Sequence, residues 1–339
     1  MIVHSHIYWT DIFNRLGQRM EFLLEDSSPD SVISRAAALN PWFTVSDIRF
    51  AMRALLSGMI SDEVLSEWLG RYELKPHPAA NVALILAGNV PMVGFHDLMT
   101  VLVSGNIPYV KTSSKDSVLI DWIVSQLMEI DSNIIIRTYS QKISYDAAIV
   151  SGSDNTERYF KSFFASRPAI VRGSRNSAAI LSGDESEQQL CGLAEDIFRY
   201  SGLGCRNVNL LLVPHDCDIV PLAQKINRFA TDINPKFLNN YRRLKALLSV
   251  QNIPFVDCGS FIITENENFR MDVSNLAVFR YRNRQDVADW IARHEHQLQC
   301  LVGDRTLHPR GVDFGCAQKP FPWDYPDGMD TLQFLLQLH

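Results

Sequence analysis

Asn81-Val-Ala-Leu-Ile-Leu-Ala-Gly-Asn-Val-Pro91 is the stretch on which the fold turns. Residues 81–87 are almost entirely aliphatic, so they need cover on both faces, which a strand inside a parallel sheet provides. Gly88, Asn89 and Pro91 then close the run with turn residues. Residues 95–104 carry a helical pattern that stops at Gly105-Asn106, and Ile107-Pro-Tyr-Val-Lys111 is the next strand. A helix over 116–130 and strands over 133–139 and 147–150 follow. Strands alternating with helices predict parallel βαβ units and a doubly wound sheet in an α/β protein.

Outward from this core, residues 5–75 read as helices. Ile7, Trp9, Ile12, Phe13 and Leu16 recur at helical spacing. A second helix begins near Asp30, a third has Thr44 or Ser46 as its N-cap, and a fourth starts at Ser61. Pro76-His-Pro78 ends the series, which reads as a helical preface that covers a sheet or binds a partner. On the C-terminal side, strands are expected at 168–171 and 178–181, with a helix over 185–200 and a strand over 208–214. Helices at 220–240 and 242–250 follow, then strands at 261–264 and 276–281, a helix at 286–296 and a strand at 298–302. An apolar helix or strand runs to 338.

Composition limits the function classes. Hydrophobic residues make up 46% of the 339 residues and charged ones 21%, which suits a globular protein with an ordinary core. The net charge of −6, without any run of basic residues, argues against a nucleic-acid binder. Six cysteines (191, 205, 217, 258, 300, 316) form no CxxC pair, which argues against a disulfide framework and a structural zinc site. In the cluster His294-Glu-His296 with Cys300, residues 294 and 296 do not face the same way on a helix, so no metal is expected. The N-terminus lacks the pattern of a signal peptide, and no run of 18 apolar residues suggests a membrane span. The expectation is a soluble cytoplasmic protein.

Chemistry centres on Ser201-Gly-Leu-Gly-Cys205-Arg-Asn207, between a helix and a strand. Gly204 leaves room for a carbonyl to approach the sulfur. Arg206 is a nearby cation of the kind that raises the thiolate fraction, and thiolate is the nucleophilic form. A small buried hydrophobe is the bland alternative for any cysteine. Four other stretches carry their own alternatives. Asn89 ends the first parallel strand, where its amide is placed to stabilise an oxyanion, or where it is simply a turn residue. Lys111 with Thr112, Ser113 and Ser114 suits a ribose or phosphate, or is a solvated strand end. Gly152 and Ser153 open a helix whose N–H groups suit a cofactor, or Ser153 or Asp154 is just the cap. Arg172 and Arg175 suit a phosphate, or belong to a structural loop. No GxGxxG is present.

In order and spacing these motifs resemble the aldehyde dehydrogenase superfamily, most closely the LuxC-like acyl-CoA reductases. The matching stretches are Asn89-Val-Pro91, Gly105-Asn106, Tyr109-Val-Lys111, Gly152-Ser153, Gly173-Ser174 and Gly202-Leu-Gly-Cys205. The tail Trp323-Asp-Tyr-Pro-Asp-Gly-Met-Asp-Thr-Leu-Gln-Phe is LuxC-like as well, so the resemblance spans about 80–339. It implies an aldehyde-dehydrogenase-like fold: a Rossmann-type cofactor domain over 79–201 and an α/β catalytic domain over 202–320. A helical N-terminal segment over 1–78 precedes them, and a tail over 321–339 packs back on the core.

The resemblance further implies Cys205 as acyl-accepting nucleophile, with the Asn89 amide and the Cys205 N–H as oxyanion hole. Lys111 is implied at the adenosine ribose, Ser113 and Ser114 near a 2′-phosphate, and Gly152, Ser153 and Gly173 along the cofactor. NADPH is the expected cofactor, with NADH the alternative. Oxidising members carry a Glu-Leu-Gly-Gly stretch whose Glu activates water, whereas Val171-Arg-Gly-Ser stands here. An acyl group that leaves by hydride or by thiol exchange needs no such base. The expected reaction is therefore reduction of an acyl-CoA to a fatty aldehyde through a Cys205 thioester. Acyl phosphate or acyl-carrier-protein donors, or a non-catalytic role, are the alternatives. The motif that holds the nicotinamide ribose is altered to Arg270-Met-Asp-Val-Ser-Asn-Leu, where Asp272 is the one candidate. The resemblance leaves an acyl-transferring partner protein and a homo-oligomer open.

Overall fold

The computed structural model describes residues 5–230, 232–269 and 272–338. Two compact units make up the chain, one of residues 1–174 with 319–339 and the other of residues 175–318.

The first unit begins with the expected helices, α1 (His6–Glu25), α2 (Val32–Leu39), α3 (Val45–Gly58) and α4 (Asp62–Leu69). The hydroxyls of Ser5, Ser31 and Thr44 accept first-turn N–H groups, so Thr44 rather than Ser46 caps α3. Then come β1 (Asn81–Ile85), α5 (Phe95–Val103), β2 (Ile107–Lys111), α6 (Ser117–Ile130), β3 (Arg137–Thr138), β4 (Ala147–Ser151), α7 (Asp154–Phe163) and β5 (Ala169–Arg172). Their strands form one parallel sheet in the order β3-β2-β1-β4-β5. Val82, Ala83 and Leu84 are fully buried, as the aliphatic run requires. Strand order reverses beside β1, which makes the gap between β1 and β4 a topological switch point.

The helical preface covers helices rather than strands. α1 and α2 pack on α6, Phe13 meets the Phe95 ring edge to face, and Arg19 donates to Gln126 and Glu129 of α6. The strand expected over 133–139 is reduced to Arg137–Thr138. Asp131 takes the N–H groups of Asn133 and Ile134 into a turn, which removes them from any ladder.

The second unit holds β6 (Asn176–Ile180), α8 (Glu187–Phe198), β7 (Val208–Pro214), α9 (Ile219–Arg228), α10 (Pro235–Val250), β8 (Val256–Asp257) and β9 (Ile262–Glu265). β10 (Asn275–Tyr281), α11 (Arg284–His294), β11 (Leu298–Val302) and β12 (Gly311–Val312) complete it. Its sheet order is β12-β11-β6-β7-β10-β9-β8, with only β8 antiparallel to its neighbour among the described strands. The helix expected over 220–240 is two helices. α9 ends at Arg228, and α10 starts at Pro235, where a missing N–H costs nothing and the Asn234 side chain accepts the Lys236 N–H; α10 then runs on through the expected break at 241. The units divide between 174 and 175, upstream of the expected break at 201/202, because β6 is hydrogen-bonded between β11 and β7.

The tail completes the first unit through α12 (Thr331–Leu336), which packs on α5. Trp68 Nε1 donates to Tyr325 Oη at 2.7 Å, Tyr72 Oη donates to Asp330 at 2.7 Å, and His96 Nε2 lies 2.9 Å from the Pro322 carbonyl. Deeper in, Arg172 is sealed from water at the end of β5. Its Nη1 donates to both carboxylate oxygens of Asp97 on α5 at 2.8 and 2.9 Å, and Nη2 donates to Thr331 Oγ1 at 2.6 Å. Burial pushes the Asp97 carboxyl up, but Arg172, helped by His96, more than offsets this and holds it well below the usual carboxylate range.

Removing one partner of such a pair leaves a buried charge uncompensated. Arg172→Met is expected to cost about 3–5 kcal/mol in urea unfolding at neutral pH. The sign with pH follows from the lowered Asp97 pKa. The contribution of the pair is complete above the unfolded carboxylate value of about 4 and is lost as pH falls below it. Urea midpoints measured between pH 7 and pH 3 should therefore fall more steeply for the wild type than for Arg172→Met.

Candidate functional site

The loop that carries Cys205 is held in an unusual backbone conformation. α8 ends at Phe198, and a tight helical turn over Arg199–Gly202 follows. Tyr200, Ser201 and Gly202 are all left-handed, with φ of 55°, 56° and 67°. Such conformations cost about 1–3 kcal/mol for each non-glycine residue and persist only where the surroundings dictate them. Here Asn207 dictates them. Its Nδ2 donates to the carbonyls of Asp196, Ile197 and Arg199 at 3.0, 3.3 and 2.8 Å, the groups that a helix end leaves orphaned. Its Oδ1 accepts the Gly204 N–H at 2.8 Å, and its own N–H returns to the Gly204 carbonyl at 3.0 Å. A single buried amide thus caps α8 and closes the Cys205 turn. An Asn two residues after the cysteine, in a turn, was the available signal, since Asn side chains commonly bond neighbouring backbone.

Cys205 itself is half-buried, and its carbonyl accepts the Ser177 hydroxyl at 2.9 Å. Arg206 turns its Nε to the Ala317 carbonyl. That contact belongs to a second tether, in which the fully buried Asp196 carboxylate accepts the N–H groups of Gly315 and Ala317 at 2.7 and 3.0 Å. Three other thiols are less suited to nucleophilic work. Burial pushes Cys258 up to about 12, with Asp257 adding to the effect, and burial also raises Cys217. Cys300 is wholly buried, while Cys191 and Cys316 are exposed on the surface.

In the first unit the expected cofactor residues share one edge of the sheet. Lys111 is the last residue of β2, exposed, with Nζ 5.8 Å from the centre of the Phe160 ring. Ser113 follows, and a Cβ on Gly88 would meet its Cβ and Oγ at 2.5 Å, so the segments after β1 and β2 run in close contact. Ser114 is exposed. Asn89 lies in the segment after β1. Gly152 follows β4 and donates its N–H to the Arg172 carbonyl at 3.2 Å, and Ser153 is the N-cap of α7. Gly173 follows β5, where a Cβ would run into the Glu157 carboxylate of α7. Glu157 is paired with Lys161 at 2.6 Å. These residues stand at the carboxyl ends of β1, β2, β4 and β5, astride the switch point, where open α/β sheets bind nucleotides. Cys205 belongs to the second unit and Asn89 to the first.

One residue of this edge was missed. Asp116 is buried at the start of α6, and its Oδ2 accepts the Met92 N–H at 2.8 Å, where Met92 has φ of 57°. Burial pushes its carboxyl well above the usual range, and the Met92 N–H only partly offsets this. A lone Asp at a helix start reads as an ordinary cap, so nothing in the sequence marked it. Asp272 is exposed and lies 3.8 Å from Arg243 Nη2, while Arg270 and Met271 lie outside the described residues. His294 Nδ1 is 2.8 Å from the Trp290 carbonyl and its ring stacks on Trp290, a packing role.

A family model described as acyl-CoA reductase (LuxC) matches residues 52–231, more than half of the chain. A long-chain acyl-protein thioester reductase 2 from Photobacterium leiognathi is 24% identical over 204 residues, covering 53% of this chain and 42% of that protein. A long-chain acyl-protein thioester reductase from Aliivibrio fischeri is 24% identical over 228 residues, covering 61% of this chain and 45% of the relative. The chain thus spans less than half the length of either relative. Among solved structures, an NAD-dependent benzaldehyde dehydrogenase from Corynebacterium glutamicum superposes with a TM-score of 0.66 at 12% identity, over 91% of this chain and 81% of the other. That likeness shows the aldehyde dehydrogenase fold, and the match over 52–231 shows that the chain belongs to the LuxC family of acyl-CoA reductases.

Proposed function

We propose that the protein reduces a long-chain acyl thioester to the aldehyde, with Cys205 as the acyl-accepting nucleophile. The observation that carries this reading is the Cys205 turn. A half-buried thiol follows three left-handed residues and is pinned by the buried Asn207 amide, whereas burial handicaps or hides most other thiols of the unit. The thiolate attacks the thioester carbonyl, the donor thiol leaves, and the acyl group becomes a Cys205 thioester. Asn89 carries the role of amide donor to the oxyanion, as the superfamily resemblance implies. The stretch Val171-Arg-Gly-Ser at the end of β5 contains no carboxylate residue, which suits an acyl group that does not leave to water.

A nicotinamide dinucleotide fits the first unit. The strand order reverses beside β1, exposed Lys111 ends β2, and the segments after β2, β4 and β5 are small or polar. Lys111, Ser113 and Ser114 are proposed to hold its adenosine end, with NADPH preferred to NADH, and Gly152, Ser153 and Gly173 to border its middle. When bound, it supplies the hydride that reduces the acyl group.

The donor is read as acyl-CoA, in keeping with the description of the family. A protein-borne acyl thioester, the substrate class in the names of two relatives, is the second reading. Acyl phosphate is disfavoured because the Arg172 guanidinium is committed to Asp97 and Thr331.

Incubation with acyl-CoA of several chain lengths, without reductant, is expected to add the acyl mass to the Cys205 peptide. Cys205→Ala should give no adduct and lose at least about 10³-fold in turnover, as removal of a covalent nucleophile does. Wild-type protein that takes no acyl group from either CoA or acyl-protein donors overturns the reading. Lys111→Ala is expected to raise the cofactor KM about tenfold with kcat nearly unchanged, the loss of one charge-assisted hydrogen bond. Initial rates against NADPH and NADH concentration give both constants.

A further inference from the structure

We propose that Ser177 is a positioning residue that fixes the backbone of Cys205. Its catalytic consequence rests on the reading of Cys205 as nucleophile, while its effect on the thiol does not. Ser177 is fully buried in β6. On one side the register with β7 slips immediately after it, from Ser177↔Val208 to Ala178↔Leu210. On the other side the register with β11 slips between Leu298↔Asn176 and Cys300↔Ser177. Both neighbouring strands therefore bulge at the level of one serine. Bulges open gaps in the ladder, concentrate beside functional sites and re-aim the chain there.

The Ser177 hydroxyl fills that gap. It donates to the Cys205 carbonyl at 2.9 Å and accepts the Cys300 N–H at 3.2 Å, with Cys300 Sγ at 3.1 Å. A buried hydroxyl needs partners, and the bonds of this one tie the Cys205 turn to β11 across β6. Asn207 already holds both backbone groups of Gly204. The peptide groups before and after the Cys205 Cα are thus both tethered, one by Asn207 and the other by Ser177. That sets the backbone angles from which the sulfur projects. An error of about 1 Å in the placement of a reacting group costs on the order of 10²-fold in rate.

The test compares Ser177→Ala with Ser177→Thr. Iodoacetamide alkylation of each cysteine is followed by peptide mass spectrometry across pH 6–9, and acyl-CoA turnover is measured alongside. Ser177→Ala is expected to change the Cys205 alkylation rate at least fivefold while leaving Cys191 and Cys316 unchanged. It should lower kcat at least tenfold with donor KM within twofold, and Ser177→Thr, which keeps the hydroxyl, should restore both. A folded Ser177→Ala that alkylates at Cys205 like the wild type overturns the proposal. So does a variant in which buried Cys300 becomes reactive together with Cys205, since that is general loosening. Should the alanine variant fail to fold, Ser177→Cys, close in volume with only a weak donor, is judged by the same criteria. Alkylation requires no turnover, so an inactive wild type would sink the proposed function and leave the Ser177 inference to be decided by the thiol rates.

Discussion

Two opposite charges removed from water govern the first unit. Each would be costly alone in that setting, so Asp97 and Arg172 must meet, and meet with good geometry. Their meeting ties α5 to the end of β5, and a second guanidinium nitrogen, Nη2, reaches Thr331 at the start of α12. The C-terminal tail is therefore part of this unit although 144 intervening residues, 175–318, belong to the other. The same commitment takes Arg172 out of consideration as an anion binder. Nη1 also reaches Ser151 Oγ at the end of β4 at 3.3 Å, beside the backbone bond from the Gly152 N–H to the Arg172 carbonyl.

In the second unit neutral amides and a buried carboxylate do comparable work. Three left-handed residues in succession store strain at the end of α8, and Asn207 offsets it by satisfying the helix carbonyls and closing the next turn. Asp196 secures the 315–317 segment against the same helix. Cys205 sits where these restraints converge, with Ser177 beneath its carbonyl. Preorganisation of this kind suits a nucleophile, because a reacting sulfur gains from arriving already aimed.

Much of the architecture was legible in the chain. The aliphatic runs at 81–87 and 208–214 had to be buried strands, and Leu298–Val302 reads as a strand at the same residues where the structure forms one. Gly105-Asn106 and Thr44 mark helix ends for local reasons of backbone conformation and capping. Failures had local causes too. Asn234 and Pro235 open a new helix inside a periodic apolar pattern, and the Asp131 turn consumes the N–H groups that a longer β3 needs. The 174/175 division between units follows β6, which precedes α8 in sequence but pairs with β7 and β11, which come after it.

The sequence by itself determined the α/β class, the element order, the helical preface and the residues that resemble a superfamily motif, Cys205 foremost. Those signals are short-range: periodicity, turn chemistry and the order of a few motifs. Tertiary structure decided what single polar residues do. Asp116 and Met92, Ser177 and Cys205, Arg172 and Asp97 are each 24 or more residues apart, and each pairing exists only after the strands assemble. Such a residue looks like a cap, a strand serine or a loop arginine until burial leaves its hydrogen bonds with only one set of partners to find.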